Sequence, residues 1–99
     1  MHKPIIWSPL SEKDFALILD YLDKNWGPEV SLNFIDLTEN TINQISLNPR
    51  QFPIFQKKNK IRKCVLTKHN SLFYRDGKKN IEILRIYDTR QDPNTLTFK

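Results

Sequence analysis

The chain has 99 residues, a formal net charge of +5 at pH 7 and 38% apolar residues. A chain of this length supports one hydrophobic core, so we expect a single domain over residues 1–99, and the apolar content excludes a disordered protein. Cys64 is the only cysteine, which excludes an intrachain disulfide. Because no Cys/His cluster offers zinc its ligands, we expect neither a metal nor a cofactor.

The charge is divided unevenly along the chain. Residues 1–47 carry three lysines and seven acids, whereas residues 48–99 carry thirteen lysines or arginines and four acids. Such an excess in one half predicts a polyanionic partner, either nucleic acid or an acidic protein segment. The same composition is also compatible with a basic surface that is exposed to solvent and binds no partner.

The N-terminal sequence and the apolar runs bear on the compartment. The first ten residues lack the apolar core of a signal peptide, and the longest apolar run, residues 15–19, is far shorter than a membrane span. We therefore expect a cytoplasmic protein that does not associate with a membrane.

The first half predicts a strand followed by two helices. Residues 4–7, PIIW, are apolar and partly β-branched, which is typical of a short strand. Ser11 and Asp14 resemble a capping box at the start of a helix, and Pro28 suits the first turn of a second helix. Apolar residues at helical spacing predict the inner stripes, which are Phe15, Ile18, Leu19, Leu22 and Trp26 in the first helix and Val30, Phe34, Leu37, Ile42 and Ile45 in the second.

The second half predicts a β-meander. Residues 49–59 read as a loop, and three apolar segments follow at residues 61–67, 70–75 and 80–88, joined by turns short enough for hairpins. The expected fold class is therefore α+β with the order β-α-α-β-β-β. A helical hairpin packs on an antiparallel sheet, and the first strand lies beside the C-terminal strands.

The last strand carries two arginines that need an explanation. Regular alternation places Ile81, Ile83, Arg85 and Tyr87 on one face and Glu82, Leu84 and Ile86 on the other. In a structural interpretation Arg90 pairs with Asp88 or Asp92, and Arg85 crosses the sheet to an acid on another element. In a functional interpretation both guanidinium groups await the carboxylates or phosphates of a partner.

Residues 57–63, KKNKIRK, contain five cations and could form a positive surface with further cations of the adjacent strands, Lys68, Arg75, Lys78, Lys79, Arg85 and Arg90. Lysines beside a strand also prevent edge-to-edge association, so this run has two explanations. Tyr87 and its aromatic neighbours could stack on bases or simply fill the core. No catalytic Ser/His/Asp order, phosphate-binding glycine loop or paired carboxylates are present.

Several segments in this order resemble the RelE/ParE superfamily of type II toxins. They are WSP before the helical hairpin, NPRQFP after it, the strand pair ending in LFYR, and the last strand followed by TRQDP. The resemblance covers residues 5–93 and implies the same fold. It also implies two alternative activities, because RelE-like members cleave messenger RNA on the ribosome and ParE-like members inhibit DNA gyrase.

The residues that the resemblance aligns with the RelE-like cleavage site are only partly retained. Arg62 and Arg90 preserve positive charge, whereas Cys64 and Ser71 replace basic residues and Leu96 stands where a tyrosine would fall. The resemblance therefore favours the ParE-like branch. If the chain were a nuclease instead, its catalytic candidates would be Arg62, Arg90 and Tyr87. Both alternatives stay open here, although the resemblance favours a protein without enzyme activity.

The resemblance also implies the partners. A cognate antitoxin with a partly disordered acidic segment neutralises such a toxin, and the toxin reaches operator DNA only through the antitoxin. The target is gyrase, or the ribosome and its message in the nuclease alternative, and the expected effects are growth inhibition and plasmid stabilisation in a bacterium. A non-toxic binding module on the same fold is the third alternative. The residues expected to contact a partner or nucleic acid are Arg62, Lys63, Arg75, Arg85, Tyr87 and Arg90.

Overall fold

The computed structural model describes residues 3–98, in which two helices pack against a five-stranded sheet. In chain order the elements are β1 (Ile5–Trp7), α1 (Pro9–Trp26), α2 (Pro28–Leu47), β2 (Ile54–Gln56), β3 (Ile61–Val65), β4 (Asn70–Asp76), β5 (Ile81–Asp88) and a short 3-10 turn, Pro93–Thr95. The α+β class is confirmed, as is the order of the predicted helices and strands.

The sheet has the strand order β1-β5-β4-β3-β2. β3, β4 and β5 form the predicted antiparallel meander, and β1 lies beside β5 as expected. β1 runs parallel to β5, however, so the sheet is mixed. The prediction of a loop over residues 49–59 is wrong for Ile54–Gln56, which pair with β3 as an edge strand. The strand is hard to recognise in the sequence because a proline next to a short apolar run indicates either an edge strand or no strand, and Pro53 directly precedes Ile54.

α1 begins three residues earlier than the capping-box interpretation predicts. The true N-cap is Ser8, whose Oγ accepts a hydrogen bond from the Ser11 N–H at 3.0 Å, and Pro9 occupies the first helical turn. Ser8 also binds β5, since its N–H donates to the Ile83 carbonyl and its Oγ donates to the Leu84 carbonyl, both at 2.9 Å. The start of α1 is therefore fixed by the end of the β1–β5 pairing.

A β-bulge in β5 interrupts the regular pairing with β4. Phe73 pairs with Arg85 and Tyr74 with Ile83, so Leu84 is an extra residue that faces no residue of β4. Such an insertion shifts the side-chain alternation by one residue beyond it.

The facing predicted for β5 is therefore wrong after the bulge. A regular strand would place Tyr87 on the face of Ile83, and Ile86 on the face of Leu84. Instead Ile86 packs with Ile83 against the helices, whereas Tyr87 packs with Leu84 on the opposite face.

The sheet carries a hydrophobic core on each face. The core between the sheet and the helices, which we call the helix-side core, contains Phe34, Ile42, Ile45, Cys64, Leu66, Leu72, Tyr74, Ile81, Ile83 and Ile86. The core on the opposite face, which we call the tail-side core, contains Ile61, Phe73, Leu84 and Tyr87, with Leu96 and Phe98 packed against it. The segment that follows β5 therefore covers the second face of the sheet.

Arg85, next to the bulge, joins β5 to α1. Its Nε and Nη2 donate to the two carboxylate oxygens of Asp14 at 2.7 and 3.0 Å, and the Ile86 N–H donates to the same carboxylate at 3.1 Å. Its Nη1 donates to the Thr97 carbonyl at 2.7 Å. The side chains of the pair are only 12% and 14% exposed, and the hydrogen bonds that Arg85 donates to Asp14 raise the pKa of the guanidinium. The predicted pairing of Arg85 with an acid on another element is confirmed.

Asp14→Ala should strongly destabilise the fold. The change leaves the Arg85 guanidinium in a largely buried position without its carboxylate, which typically costs about 3 kcal/mol or more. Urea unfolding followed by circular dichroism measures this loss. A double variant, Asp14→Ala with Arg85→Met, should recover part of the stability because no unpaired charge remains.

Asp20→Ala on the same helix is the matched control. It removes the exposed ion pair between Asp20 and Lys24, whose side chains are 59% and 72% exposed, and should cost less than about 1 kcal/mol. Equal losses at positions 14 and 20 would contradict the role of the Arg85 pair.

Candidate functional site

Three of the residues predicted to contact a partner are arginines that pair with carboxylates of this chain. Arg85 is held by α1, as described. The Nε and Nη2 of Arg75 donate to Glu82 of β5 at 3.2 and 3.1 Å, and those of Arg90 donate to Asp88 at 3.0 and 2.7 Å. The structural interpretation, in which Arg90 pairs with Asp88 or Asp92, is confirmed by the contact with Asp88, and the charges of all three arginines are compensated within the monomer.

Arg62 and Lys63, neighbours on β3, have different surroundings. The Nη1 of Arg62 donates to the carbonyls of Arg50 and Phe52 at 3.2 and 2.6 Å, so this side chain holds the segment after α2. The Nζ of Lys63 lies 5.9 Å from the centroid of the Phe55 ring. This distance is consistent with a cation–π contact.

Tyr87 is buried in the tail-side core. Its hydroxyl donates to the Asp92 carbonyl at 3.1 Å and is also hydrogen-bonded to the Thr95 hydroxyl. The guanidinium of Arg85 lies over its ring, 5.4 Å from the centroid. In this structure Tyr87 therefore anchors the C-terminal segment.

The candidates of the nuclease alternative do not form one cluster. Arg62 binds the segment after α2, Tyr87 lies in the tail-side core, and Arg90 lies in the turn after β5. Cys64 and Ser71, at positions that the resemblance aligns with basic residues, are 3% and 1% exposed. Burial raises the pKa of the Cys64 thiol to about 11, so it is neutral at pH 7.

An apolar groove of about 730 Å³ lies between the two helices and the β3–β4 turn, and we call it the hairpin groove. Its apolar lining residues are Leu17, Ile18, Tyr21, Leu22, Trp26, Val30, Phe34 and Leu37. Its polar lining residues are Asn33, Thr67, His69, Asn70, Asp88, Arg90 and Gln91. An apolar floor with a polar rim suits the apolar face of an amphipathic segment.

The groove is not apparent from the sequence because several of its lining residues fall on the predicted core stripes. Trp26, Val30 and Leu37 were predicted to lie in the inner stripes, but they are exposed, Trp26 by 68%. Leu17 and Tyr21, four residues apart on α1, lie off the predicted stripe and are 60% and 50% exposed. These two apolar residues at helical spacing, on a helix face that the predicted stripe does not cover, are the sequence feature that indicates the groove.

Residues 3–98 contain neither a metal-ligand cluster of His, Cys, Asp and Glu nor a membrane-spanning helix. In that range no group of three or more His, Cys, Asp or Glu residues is placed to hold a metal ion. No helix within the same range is long and apolar enough to cross a membrane.

The sequence matches, over residues 5–93, the model of the family described as the ParE toxin of type II toxin–antitoxin systems, parDE. The chain belongs to this family. The matched range contains both helices and all five strands described above, and it includes the residues that line the hairpin groove. The resemblance to the RelE/ParE superfamily is thereby confirmed.

Solved structures share the fold of this ParE-family chain. The chromosomal ParDE system from P. aeruginosa matches with a TM-score of 0.74 at 21% identity, covering 88% of this chain and 96% of that one. The YoeB/ParE toxin from Agrobacterium tumefaciens matches at 0.62 with 10% identity, covering 86% and 96%. The YoeB dimer from Staphylococcus aureus matches at 0.62 with 16% identity, covering 88% and 97%. No curated protein matches the sequence significantly.

The Asp88–Arg90 pair on the groove rim should make stability depend on acid pH. The hydrogen bond from Arg90 is the main cause that lowers the pKa of Asp88. A carboxyl with a lowered folded-state pKa stabilises the fold above the unfolded pKa, about 3.9, and loses this effect as the pH falls through the folded pKa. Arg90→Gln should therefore lower the Tm at pH 6 and have progressively less effect below about pH 4.

Thermal unfolding of wild type, Arg90→Gln and Lys13→Gln over this pH range checks the expectation. Lys13 is a suitable control because it forms no ion pair among residues 3–98. A Tm difference for Arg90→Gln that stayed constant from neutral to strongly acid pH would exclude the proposed contribution of the pair.

Proposed function

We propose that this chain is the toxin of a bacterial type II toxin–antitoxin pair and that it inhibits DNA gyrase, the activity that the resemblance implies for ParE-like proteins. The observation that carries the proposal is the match to the ParE toxin family over residues 5–93. The toxin acts in the cytoplasm by binding its target, without a cofactor, and thereby slows growth.

The residues at the RelE-like positions support a binding protein rather than a nuclease. RNA cleavage needs a group that accepts the proton of the 2′-hydroxyl and cations that stabilise the phosphorane. Cys64 and Ser71 are buried, and Leu96 packs on the tail-side core. A buried neutral thiol, a buried hydroxyl and an aliphatic side chain supply neither a proton acceptor nor positive charge.

A cognate antitoxin is the proposed occupant of the hairpin groove. The exposed apolar residues of α1 and α2 offer the kind of patch that usually marks a protein interface. The groove accepts the apolar face of an antitoxin segment, and Arg90 and His69 on the rim supply polar contacts to its other face.

The proposed target is tested by a supercoiling assay. Purified toxin at micromolar concentration, added to gyrase and relaxed plasmid, should stop supercoiling or leave cleaved DNA. Toxin premixed with the cognate antitoxin should leave the reaction unaffected, which controls for contaminants.

Two other experimental outcomes would favour the endoribonuclease or the non-toxic binding module over a gyrase inhibitor. Unimpaired supercoiling together with translation-dependent cuts in messages would replace the gyrase proposal by the endoribonuclease alternative. Normal growth on expression of the toxin without its antitoxin would favour a non-toxic binding module.

Leu17→Asp should weaken antitoxin binding. The change places a charge among the apolar residues that line the hairpin groove, and loss of an apolar contact that contributes strongly to binding costs about 2 kcal/mol, or about 30-fold in Kd. Calorimetric titration of the antitoxin into the variant measures the effect. Growth assays should show the variant toxic despite co-expressed antitoxin.

Leu32→Asp is the matched control. Leu32 lies on α2, is 59% exposed against 60% for Leu17, and does not line the groove. Its Kd should stay close to the wild-type value. Equal weakening by the two variants would contradict the assignment of the groove to the antitoxin.

A further inference from the structure

Two neighbouring hairpin turns place five lysines at one end of the sheet. Residues 57–60 connect β2 with β3, and residues 77–80 connect β4 with β5. Ile61 at the start of β3 pairs with Arg75 near the end of β4, so both turns extend from the same end of the sheet. Their lysines, which we call the turn lysines, are Lys57, Lys58, Lys60, Lys78 and Lys79.

The carboxylates nearest to these turns are already paired with other residues. Asp76 contacts both Lys3 and Arg50, and Glu82 binds Arg75. Within residues 3–98 none of the turn lysines forms an ion pair, and all five are exposed. Unlike Arg75, Arg85 and Arg90, the turn lysines therefore form a positive surface that the monomer does not compensate.

Protection of a sheet edge accounts for only part of this surface. Lysines beside an edge strand discourage pairing with another sheet, and residues 57–60 adjoin the edge strand β2. Lys78 and Lys79, however, connect β4 and β5, which are interior strands. The lysines of the second turn need a different explanation.

Turn geometry does not account for the lysine at position 60 either. The Lys60 N–H donates to the Lys57 carbonyl at 3.2 Å, and Lys60 has a φ of 56°. This left-handed conformation favours glycine or asparagine over lysine. The backbone conformation at this position therefore gives no reason for a lysine here.

The composition of the two turns favours a duplex backbone as the ligand. The other turn residues are Asn59, Gly77 and Asn80, so neither turn has an aromatic side chain on which an unpaired base could stack. Lysine and asparagine side chains donate to phosphate oxygens regardless of sequence. The turns are two strand spacings apart, about 10 Å, and a duplex carries one charge per about 1.7 Å of its axis. Both turns can therefore contact one duplex.

We propose that the turn lysines bind the phosphate backbone of double-stranded DNA without sequence preference. The surface is separate from the hairpin groove, which is bordered by the β3–β4 turn at the opposite end of the sheet. A protein can thus occupy the groove while DNA lies against the turn lysines. The proposal does not depend on the identity of the toxin's target.

Fluorescence anisotropy with a short labelled duplex of arbitrary sequence tests the proposal. The purified toxin should bind at low salt, and the logarithm of its association constant should fall linearly with the logarithm of the salt concentration, by about 0.9 per phosphate contacted. The double variant Lys78→Gln/Lys79→Gln should reduce this slope by about 2 and weaken binding on the order of tenfold. Lys57→Gln/Lys58→Gln should do the same.

Lys13→Gln/Lys68→Gln is the matched control because it gives the same net charge. Lys13 lies on α1 and Lys68 in the β3–β4 turn, and both are exposed. Its affinity should remain within about twofold of wild type, and the Tm of every double variant should equal that of wild type, because the substituted lysines are solvated.

Three results would overturn the proposal. Equal weakening by all three double variants would mean that duplex binding depends only on the net charge of the protein and not on the turn lysines. Absence of duplex binding at low salt would remove the site altogether. Tighter binding of a labelled single-stranded RNA of the same length would reject duplex DNA as the ligand.

Discussion

The bidentate pair between Arg85 and Asp14 is the contact on which the arrangement of helices, sheet and C-terminal segment depends. A guanidinium this far from solvent requires a carboxylate, and the carboxylate of α1 also accepts the N–H of Ile86. The bulge at Leu84 sets the position of Arg85, because it changes the facing of the strand there. The third nitrogen of the guanidinium, Nη1, donates to the Thr97 carbonyl, so the segment over the tail-side core is held by the same side chain.

The same requirement for paired charge explains how free charge is distributed. Arginine presents a planar fork that matches a carboxylate, and the three arginines at positions 75, 85 and 90 use it within the chain. Lysine is a strongly hydrated point charge, which costs little when it stays in solvent. The charges of these three arginines are therefore compensated, whereas the turn lysines, like Arg62 and Lys63 of β3, form no ion pair among residues 3–98.

The hairpin groove and the turn lysines have different chemistry and lie apart. The hairpin groove is apolar and is built by the two helices with the β3–β4 turn. The turn lysines project from the opposite end of the sheet. Because the two surfaces lie apart, an antitoxin bound in the groove as proposed leaves the turn lysines accessible.

The sequence by itself determined the features that depend on local patterns. Apolar spacing gave the two helices, short turns gave the antiparallel meander, and the quoted segments gave the family, because neighbouring residues decide periodicity and turn chemistry. Only the tertiary structure decided the edge strand β2, the bulge in β5, the pairing of Arg85 with Asp14 and the exposure of Trp26. Each of these features depends on contacts between residues that are distant in the chain, and local sequence patterns do not specify such contacts.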